Sequence, residues 1–223
     1  ILEKPVATTL DELRDVACLS RAFPGQMVAV CHVLRHSPFF ERLRQIIASG
    51  QFGPVVSIQH NENIGYYHFA HSYVRGPWNN EQTSGPLTLT KSCHDMDILL
   101  YLLGGASCQS IASVGGLSVF RREHYDPDTM APMCVDCPQK DACAYSAPRL
   151  YGSGKIRSVV FDLSSVDKVR ESLGNSPYGR CVYACDNNVA DHQATAIRFD
   201  NGVTATFNLS AFTAKVNRSL KVM

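Results

Sequence analysis

A histidine with charged neighbours at helical spacing is the strongest candidate for proton transfer in the sequence. His94 lies three residues after Lys91 and three before Asp97, so a helix over 92–103 places all three on one face. A neutral imidazole accepts protons near pH 7, and a nearby ammonium favours that neutral form. We expect a general base at His94, with Lys91 orienting a ligand and Asp97 fixing the ring tautomer. The alternative is a helix start whose polar residues cap free amides, with His94 as a cap or core residue.

A lysine near the start of the sequence is the second candidate. Lys4 stands in Glu3-Lys4-Pro5, after the apolar pair Ile1-Leu2 and before a capped helix predicted from Thr9. An ammonium at the carboxyl end of a sheet strand can donate hydrogen bonds to a ligand and stabilise negative charge. The alternative is a solvated surface lysine before a helix.

Aromatic and hydrogen-bonding side chains between these two candidates suit a ligand that carries hydroxyl groups. The run from Tyr66 to Trp78 holds the only Trp of the sequence, and such rings stack on sugar faces beside donors that bind hydroxyls. The residues predicted to bind this ligand are Arg35, His68, His71, Arg75, Trp78, Asp97 and His192. A packed loop, with Arg35 as a cap or surface residue, is the alternative.

Four of the nine cysteines have the spacing of a metal site. Cys134, Cys137 and Cys143 lie in an insertion over about 124–154 without a secondary-structure pattern, and Cys181 follows later. Irregular loops of this length are uncommon in compact domains unless something holds them. A structural zinc ion bound by the four thiolates would do so, as a closed tetrahedral site. An iron–sulfur cluster, a disulfide or free thiols are the alternatives.

The elements that must position these residues change from alternating helices and strands to mostly strands. The patterns predict helices over 9–23, 37–50 and 92–103, and strands over 27–34, 55–66, 110–120, 194–199, 203–212 and from 215 onward, with a hairpin turn at 200–202. The strand over 27–34 is expected to be fully buried in a parallel sheet. This order predicts an α/β tail over 1–36 and an α+β domain over 37–223, with an open, mostly antiparallel sheet and helices on one face.

The composition is that of a globular protein. The 223 residues are 45% apolar and 18% charged, with a net charge of +1, so a sizeable core can form. Acidic and basic residues are interspersed, which argues against a nucleic-acid partner. The sequence contains no run of 18 apolar residues, so no membrane span is predicted. An open sheet with one uncovered face needs cover, so we expect a homo-oligomer that associates through the sheet.

Two segments resemble a known family. Glu3-Lys4-Pro5 resembles the cofactor-side signature of the glucose-fructose oxidoreductase, inositol dehydrogenase and MocA-like (Gfo/Idh/MocA) oxidoreductases. The segment from Thr90 to Asp97 resembles their Asp-x-x-x-His-x-x-Asp helix, with Thr90 in place of the first Asp. The resemblance covers nearly the whole sequence and implies a fragment that lacks most of an N-terminal Rossmann domain, about 100 residues, so that 1–36 is the remnant of that domain.

The resemblance also implies chemistry. It predicts a cytoplasmic dehydrogenase that uses NAD or NADP on a hydroxyl carbon of a sugar, cyclitol or related polyol. Lys4, His94 and Lys91 would be catalytic, and Glu3, Lys4 and Pro5 would contact the cofactor. The fragment alone is expected to be inactive, because no Gly-rich pyrophosphate loop is present in it. Thr90 favours the alternative of a catalytically silent relative that serves as a ligand-binding or assembly domain.

Overall fold

The structure is a computed structural model that describes residues 1–153, 156, 162 and 164–223. Its α-helices are α1 (Leu10–Ala22), α2 (Pro38–Ala48), α3 (Tyr66–Phe69), α4 (Glu81–Ser84), α5 (Leu87–Thr90), α6 (Cys93–Leu102), α7 (Ala147–Gly152) and α8 (Val166–Gly174). Its strands are β1 (Ser57–Asn63), β2 (Cys108–Gly116), β3 (His192–Phe199), β4 (Thr204–Ser210) and β5 (Asn217–Val222). A π-helical turn over Ala70–Arg75 continues α3, and 3₁₀ turns span Val33–His36, Arg122–His124 and Pro177–Gly179.

The described strands form one open sheet in the order β2-β3-β4-β1-β5. Only the β1–β4 pair is parallel; the other neighbours are antiparallel, as the strand pattern predicts. The predicted hairpin between β3 and β4 is confirmed, with Gly202 at φ 86° in the left-handed region.

Helices cover one face of this sheet. Burial alternates strictly along β3 and β4, so that Phe199 and Phe207 face a core while their neighbours face solvent. Leu99 of α6 packs against Ile58 and Phe199 of the sheet, and Phe40 of α2 packs on the far side of α6. The expectation of an open, mostly antiparallel sheet with helices on one face is confirmed.

The first helix begins where its cap predicts. Thr9 Oγ1 accepts a hydrogen bond from the Glu12 amide (3.2 Å), and Glu12 Oε2 accepts one from the Thr9 amide (3.0 Å). These two bonds form the capping box expected from the spacing of the two residues.

The buried strand predicted over 27–34 is wrong for the described residues. Met27 is 92% exposed, and the segment makes only an isolated parallel bridge between Val30 and Leu2. A short apolar run does not specify a strand by itself, because a strand needs hydrogen-bonding neighbours at its edges. Within the described residues, Leu2 is the one residue paired with this segment; Met27 to Val30 are exposed, and the segment ends in the 3₁₀ turn at Val33–His36.

The cysteine-containing insertion is a packed unit rather than a bare loop. Cys134 and Val135 pack with Tyr151 of α7 and Leu173 of α8 in a small core of their own. The end of the predicted insertion, Gly154, lies outside the described residues. No helix in the described ranges is long and apolar enough to cross a membrane.

Candidate functional site

Lys4 reaches across to the segment that carries the predicted catalytic histidine. Its ammonium donates a 2.7 Å hydrogen bond to the backbone carbonyl of Thr90 and lies 4.3 Å from the ring centre of Trp78. Burial, reinforced by the nearby Lys91, lowers the pKa of Lys4. The lysine is therefore a partly desolvated cation held by a carbonyl and an aromatic face.

His94 lies in the first turn of α6, four residues after Thr90, and so adjoins this lysine. Burial, and then the positive charges of Lys4 and Arg218, lower the pKa of His94 to about 4. Its ring meets the ring of His32 edge-on at 5.8 Å. Its Nδ1 is buried and makes no hydrogen bond within the described residues. At neutral pH His94 is a neutral imidazole, which is the form that accepts a proton.

A cavity of about 400 Å³ is lined by Lys4 and by Cys93, the residue before His94, but not by His94 itself. Lys4 and Pro5 line it on the side of the first helix, while Leu89 and Cys93 line it on the side of α6. His32, the contact of His94, also faces the cavity. Lys4 and His94 thus belong to one region of the molecule, built from segments about 90 residues apart.

Lys91, predicted as a catalytic or orienting group, forms an ion pair within the protein. Its ammonium forms a 3.0 Å ion pair with Glu62, whose side chain is fully buried. Arg218 Nε approaches the other oxygen of the same carboxylate at 2.9 Å. The catalytic or orienting role of Lys91 stays a prediction; in the structure its charge neutralises a buried carboxylate.

A second buried carboxylate lies beside the first. Asp95 accepts hydrogen bonds from Arg218 Nε at 2.7 Å and pairs with His60 Nε2 at 2.8 Å. Burial alone would raise the pKa of Asp95, but the hydrogen bonds from His60 and Arg218 outweigh it and lower that pKa. Arg218 therefore contacts both Glu62 and Asp95, and Asp95 is the residue that follows His94 in α6.

Arg35 and Asp97 contact each other instead of a ligand. Arg35 Nε and Nη2 donate to the two oxygens of Asp97 at 2.8 and 2.6 Å. This bidentate pair ties the 3₁₀ turn at Val33–His36 to α6. The predicted roles of Asp97 in fixing the His94 tautomer and of Arg35 in binding substrate stay predictions; in the structure the two groups bind each other.

The residues predicted from the aromatic run separate into two regions. Trp78 contacts Lys4. Burial, and then the nearby positive charges of Lys91 and Lys4, lower the pKa of His68 to about 4. His71 instead pairs with Tyr151 and stacks on Tyr178, beside the cysteine-containing unit.

Two further predicted substrate residues lie elsewhere. Arg75 is buried, and its Nε and Nη2 donate to the carbonyls of Arg180 and Tyr145 at the cavity that the cysteines line. His192 pairs with Asp191 at the start of β3. The substrate-binding roles of Arg75 and His192 stay predictions, because these residues lie apart from the contact between Lys4 and Thr90.

The four cysteines predicted as zinc ligands surround one cavity of about 330 Å³. All cysteines are free thiols, and Cys134, Cys137 and Cys181 are buried. Within the described ranges, no three His, Cys, Asp or Glu side chains are already grouped as metal ligands. The predicted tetrahedral site is therefore not preassembled, although its thiols share one cavity.

Sequence reasoning missed the buried ionic network. His60 and Glu62 follow Ile58 at every second position on the buried face of β1, so the period-two pattern already places two polar groups on a buried face. No comparable signal indicates Arg218, because its partners lie more than 120 residues away in the sequence.

The depressed pKa values of His68 and His94 predict destabilisation in acid. An unfolded histidine titrates near 6.5, whereas the folded pKa of each is about 4, so below pH 6.5 the unfolded state binds more protons. The free energy of unfolding should fall as pH drops from about 6.5 towards 4. Urea unfolding across this range measures it. Replacing both with Gln should flatten the dependence, whereas His36→Gln at an exposed site should not; a flat wild-type profile would contradict the assignment.

The sequence matches an oxidoreductase family. The sequence profile described as "Oxidoreductase family, C-terminal alpha/beta domain" matches residues 44–220. "Putative oxidoreductase YteT" of Bacillus subtilis (strain 168) is 26% identical over 218 residues, which are 94% of this chain and 49% of that protein. The chain thus spans about half the length of this curated relative.

Solved structures share the fold. Myo-inositol 2-dehydrogenase from Lactobacillus plantarum aligns over 99% of this chain and 46% of its own, with a TM-score of 0.59 and 14% identity. Gal80p from Saccharomyces cerevisiae, as a super-repressor mutant, aligns over 99% and 44%, with a TM-score of 0.60 and 17% identity. With the family profile covering most of the sequence, the chain belongs to the Gfo/Idh/MocA oxidoreductase family and contains its C-terminal α/β domain.

Proposed function

We propose that the full protein is an NAD- or NADP-dependent dehydrogenase acting on a hydroxyl carbon of a sugar, cyclitol or related polyol. The observation that supports this most is the meeting of Lys4 and His94 in one region, with His94 neutral at physiological pH. Oxidation of an alcohol needs a group that takes the hydroxyl proton and a donor that stabilises the oxygen.

The cavity beside Lys4 fits the nicotinamide end of such a cofactor. Its volume of about 400 Å³ and its mixed lining, with the Lys4 ammonium among apolar side chains such as Leu10 and Leu89, suit a planar ring with a polar amide. Lys4 and Pro5 would hold this end, whereas Glu3 does not line the cavity. The nicotinamide, when bound, supplies the hydride acceptor.

The protein's own groups would handle the proton and the oxygen. His94 would take the hydroxyl proton on its ring. Lys4 has three N–H donors, and the bond to Thr90 uses one, so another can donate to the same substrate oxygen as charge develops. Trp78 and His68 border this position and would contact the rest of a polyol.

A catalytically silent relative is the second candidate, and Thr90 favours it. The Thr90 side chain is buried and its hydroxyl donates to the carbonyl of Pro86 at 3.3 Å, so it cannot exchange a proton with a substrate. A protein built this way would bind cofactor or ligand and serve in sensing or assembly.

Binding and turnover of the full protein distinguish the candidates. Titration with NADH and NADPH, followed by turnover assays across sugars and cyclitols, should show binding of at least one cofactor and oxidation of at least one polyol. Cofactor binding without turnover on the whole panel would favour the silent relative. Failure to bind either cofactor would overturn the dehydrogenase and leave only a silent relative that binds another ligand or serves in assembly.

We further propose that the protein associates through the open face of its sheet. Val114 is 74% exposed and stands opposite Ala194, which is also on the uncovered face. Small side chains here leave a flat surface on which a second copy can stack. Light scattering should show an oligomer, and Val114→Asp should shift it towards monomer, while Gln51→Asp on an exposed turn should not. A wild-type monomer would contradict this.

A further inference from the structure

Four thiols from distant segments meet at a cavity apart from the Lys4–His94 region. Cys134, Cys137 and Cys143 come from the loop between β2 and α7, and Cys181 comes from the segment after the Pro177–Gly179 turn. All four line the same cavity of about 330 Å³. The Cys134 backbone N–H donates a 2.8 Å hydrogen bond to the Gly179 carbonyl, and Met133 pairs with Arg180 in an isolated antiparallel β-bridge. These contacts hold the two segments together.

Backbone amides point at two of these sulfurs. The Tyr145 amide is directed at the Cys143 thiol, and the Tyr183 and Ala184 amides are directed at the Cys181 thiol. Amide donors stabilise sulfur that carries negative charge, which is the form that binds metals. Burial nevertheless raises the pKa of Cys143 and of Cys181, so these amides offset only part of the cost of forming thiolates here.

A buried arginine at this cavity lacks an acidic partner. Arg75 is 4% exposed, and its Nη2 lies 3.4 Å from the Cys134 sulfur. Its other contacts are the carbonyls of Arg180 and Tyr145 and the Tyr151 hydroxyl, and it forms no ion pair with a carboxylate in the part of the chain that the structure describes. A buried cation without a counter-charge is costly. Four thiolates around a divalent ion carry a net charge of −2 and would supply that counter-charge.

We propose that Cys134, Cys137, Cys143 and Cys181 bind one Zn²⁺ ion as a structural site. On binding, the four thiols release four protons to solvent and four Zn–S bonds form, with no change of oxidation state. The sulfurs must turn towards the cavity centre, because no three ligands are grouped beforehand among the described residues. Four sulfur ligands leave no open position, so the ion holds the insertion and does not take part in catalysis.

Cys185 provides a matched control in the same segment. Its thiol donates to the Cys181 carbonyl at 3.2 Å and it packs in the main core instead of lining the cavity. Its chemistry and burial resemble those of the proposed ligands, but its position excludes it from the site.

Metal analysis of the full protein tests the proposal. Protein purified without chelators should contain about one zinc per chain. Cys143→Ser should lose most of that zinc and melt at a lower temperature, while Cys185→Ala should keep it. If Cys143→Ser does not fold, titration of wild type with a mercurial thiol reagent and a zinc-sensitive dye should release one zinc per chain.

Three outcomes would overturn it: wild-type protein without stoichiometric zinc, iron with acid-labile sulfide in its place, or a disulfide between any two of the four cysteines in mass spectra of unreduced protein. Each readout is independent of dehydrogenase activity, so failure here leaves the proposed function untouched.

Discussion

Replacing His94 with Ala in the full protein is expected to lower kcat by about 10²–10⁴-fold, the usual contribution of a positioned general base. His94 is the neutral imidazole beside Lys4. Among the described histidines, it alone both contacts the His32 ring and has a pKa lowered by the charge of Lys4. The cofactor dissociation constant should change little, because the lost group acts on the substrate hydroxyl.

Steady-state kinetics on the best polyol substrate measure this effect. His36→Ala, on an exposed turn, is the matched control and should leave kcat unchanged. Undiminished turnover by His94→Ala would remove this residue from the mechanism.

The second large effect is on stability: Arg218→Ala should lower the free energy of unfolding by about 3–5 kcal/mol, as expected when one partner of a buried ionic network is removed. Arg218 Nε contacts both Glu62 and Asp95, whose side chains are fully buried. Its loss leaves two carboxylates with only Lys91 and His60 beside them.

Urea denaturation at pH 7 measures this change, and Arg198→Ala provides the control. Arg198 is an exposed arginine on β3 of the same sheet, so its removal should change stability by less than about 0.5 kcal/mol. Equal effects of the two substitutions would show that the network contributes nothing specific. The double variant Glu62→Gln with Lys91→Met should cost less than Arg218→Ala, because it removes a charge of each sign.

Local signals in the sequence predict local structure well. The Thr9 capping box, the Pro38 start of α2 and the hairpin at Gly202 all depend on residues within a few positions of one another. The period-two pattern of β3 and β4 likewise predicts which face is buried, because alternation reflects the pleat itself.

Long-range pairing is where sequence reasoning fails. Arg35 and Asp97 looked like ligand-binding groups because each is polar and near a predicted site, yet 62 positions apart they bind each other. Lys91 likewise forms an ion pair with Glu62, a residue that lies far from it in the sequence. The spacing of residues in one sequence does not predict which basic side chain pairs with which distant carboxylate in the folded protein.

The strand predicted over 27–34 fails for a different reason. Its apolar character is real, but a strand exists only with neighbours, and Leu2 alone supplies one within the described residues. The motifs around Lys4 and over Thr90 to Asp97 indicate which segments carry the candidate site, and these segments meet where Lys4 donates to the Thr90 carbonyl. The catalytic roles of Lys4 and His94 stay predictions.

Titration of His94 by NMR tests most directly whether Lys4 and His94 share one site. In wild-type protein its pKa should lie near 4, and in Lys4→Met it should rise, because a positive charge that opposes protonation has been removed. Arg21→Met, an exposed change at the end of α1, should leave that pKa where it was. A wild-type value near 6.5, or a value that Lys4→Met does not move, would contradict the shared site.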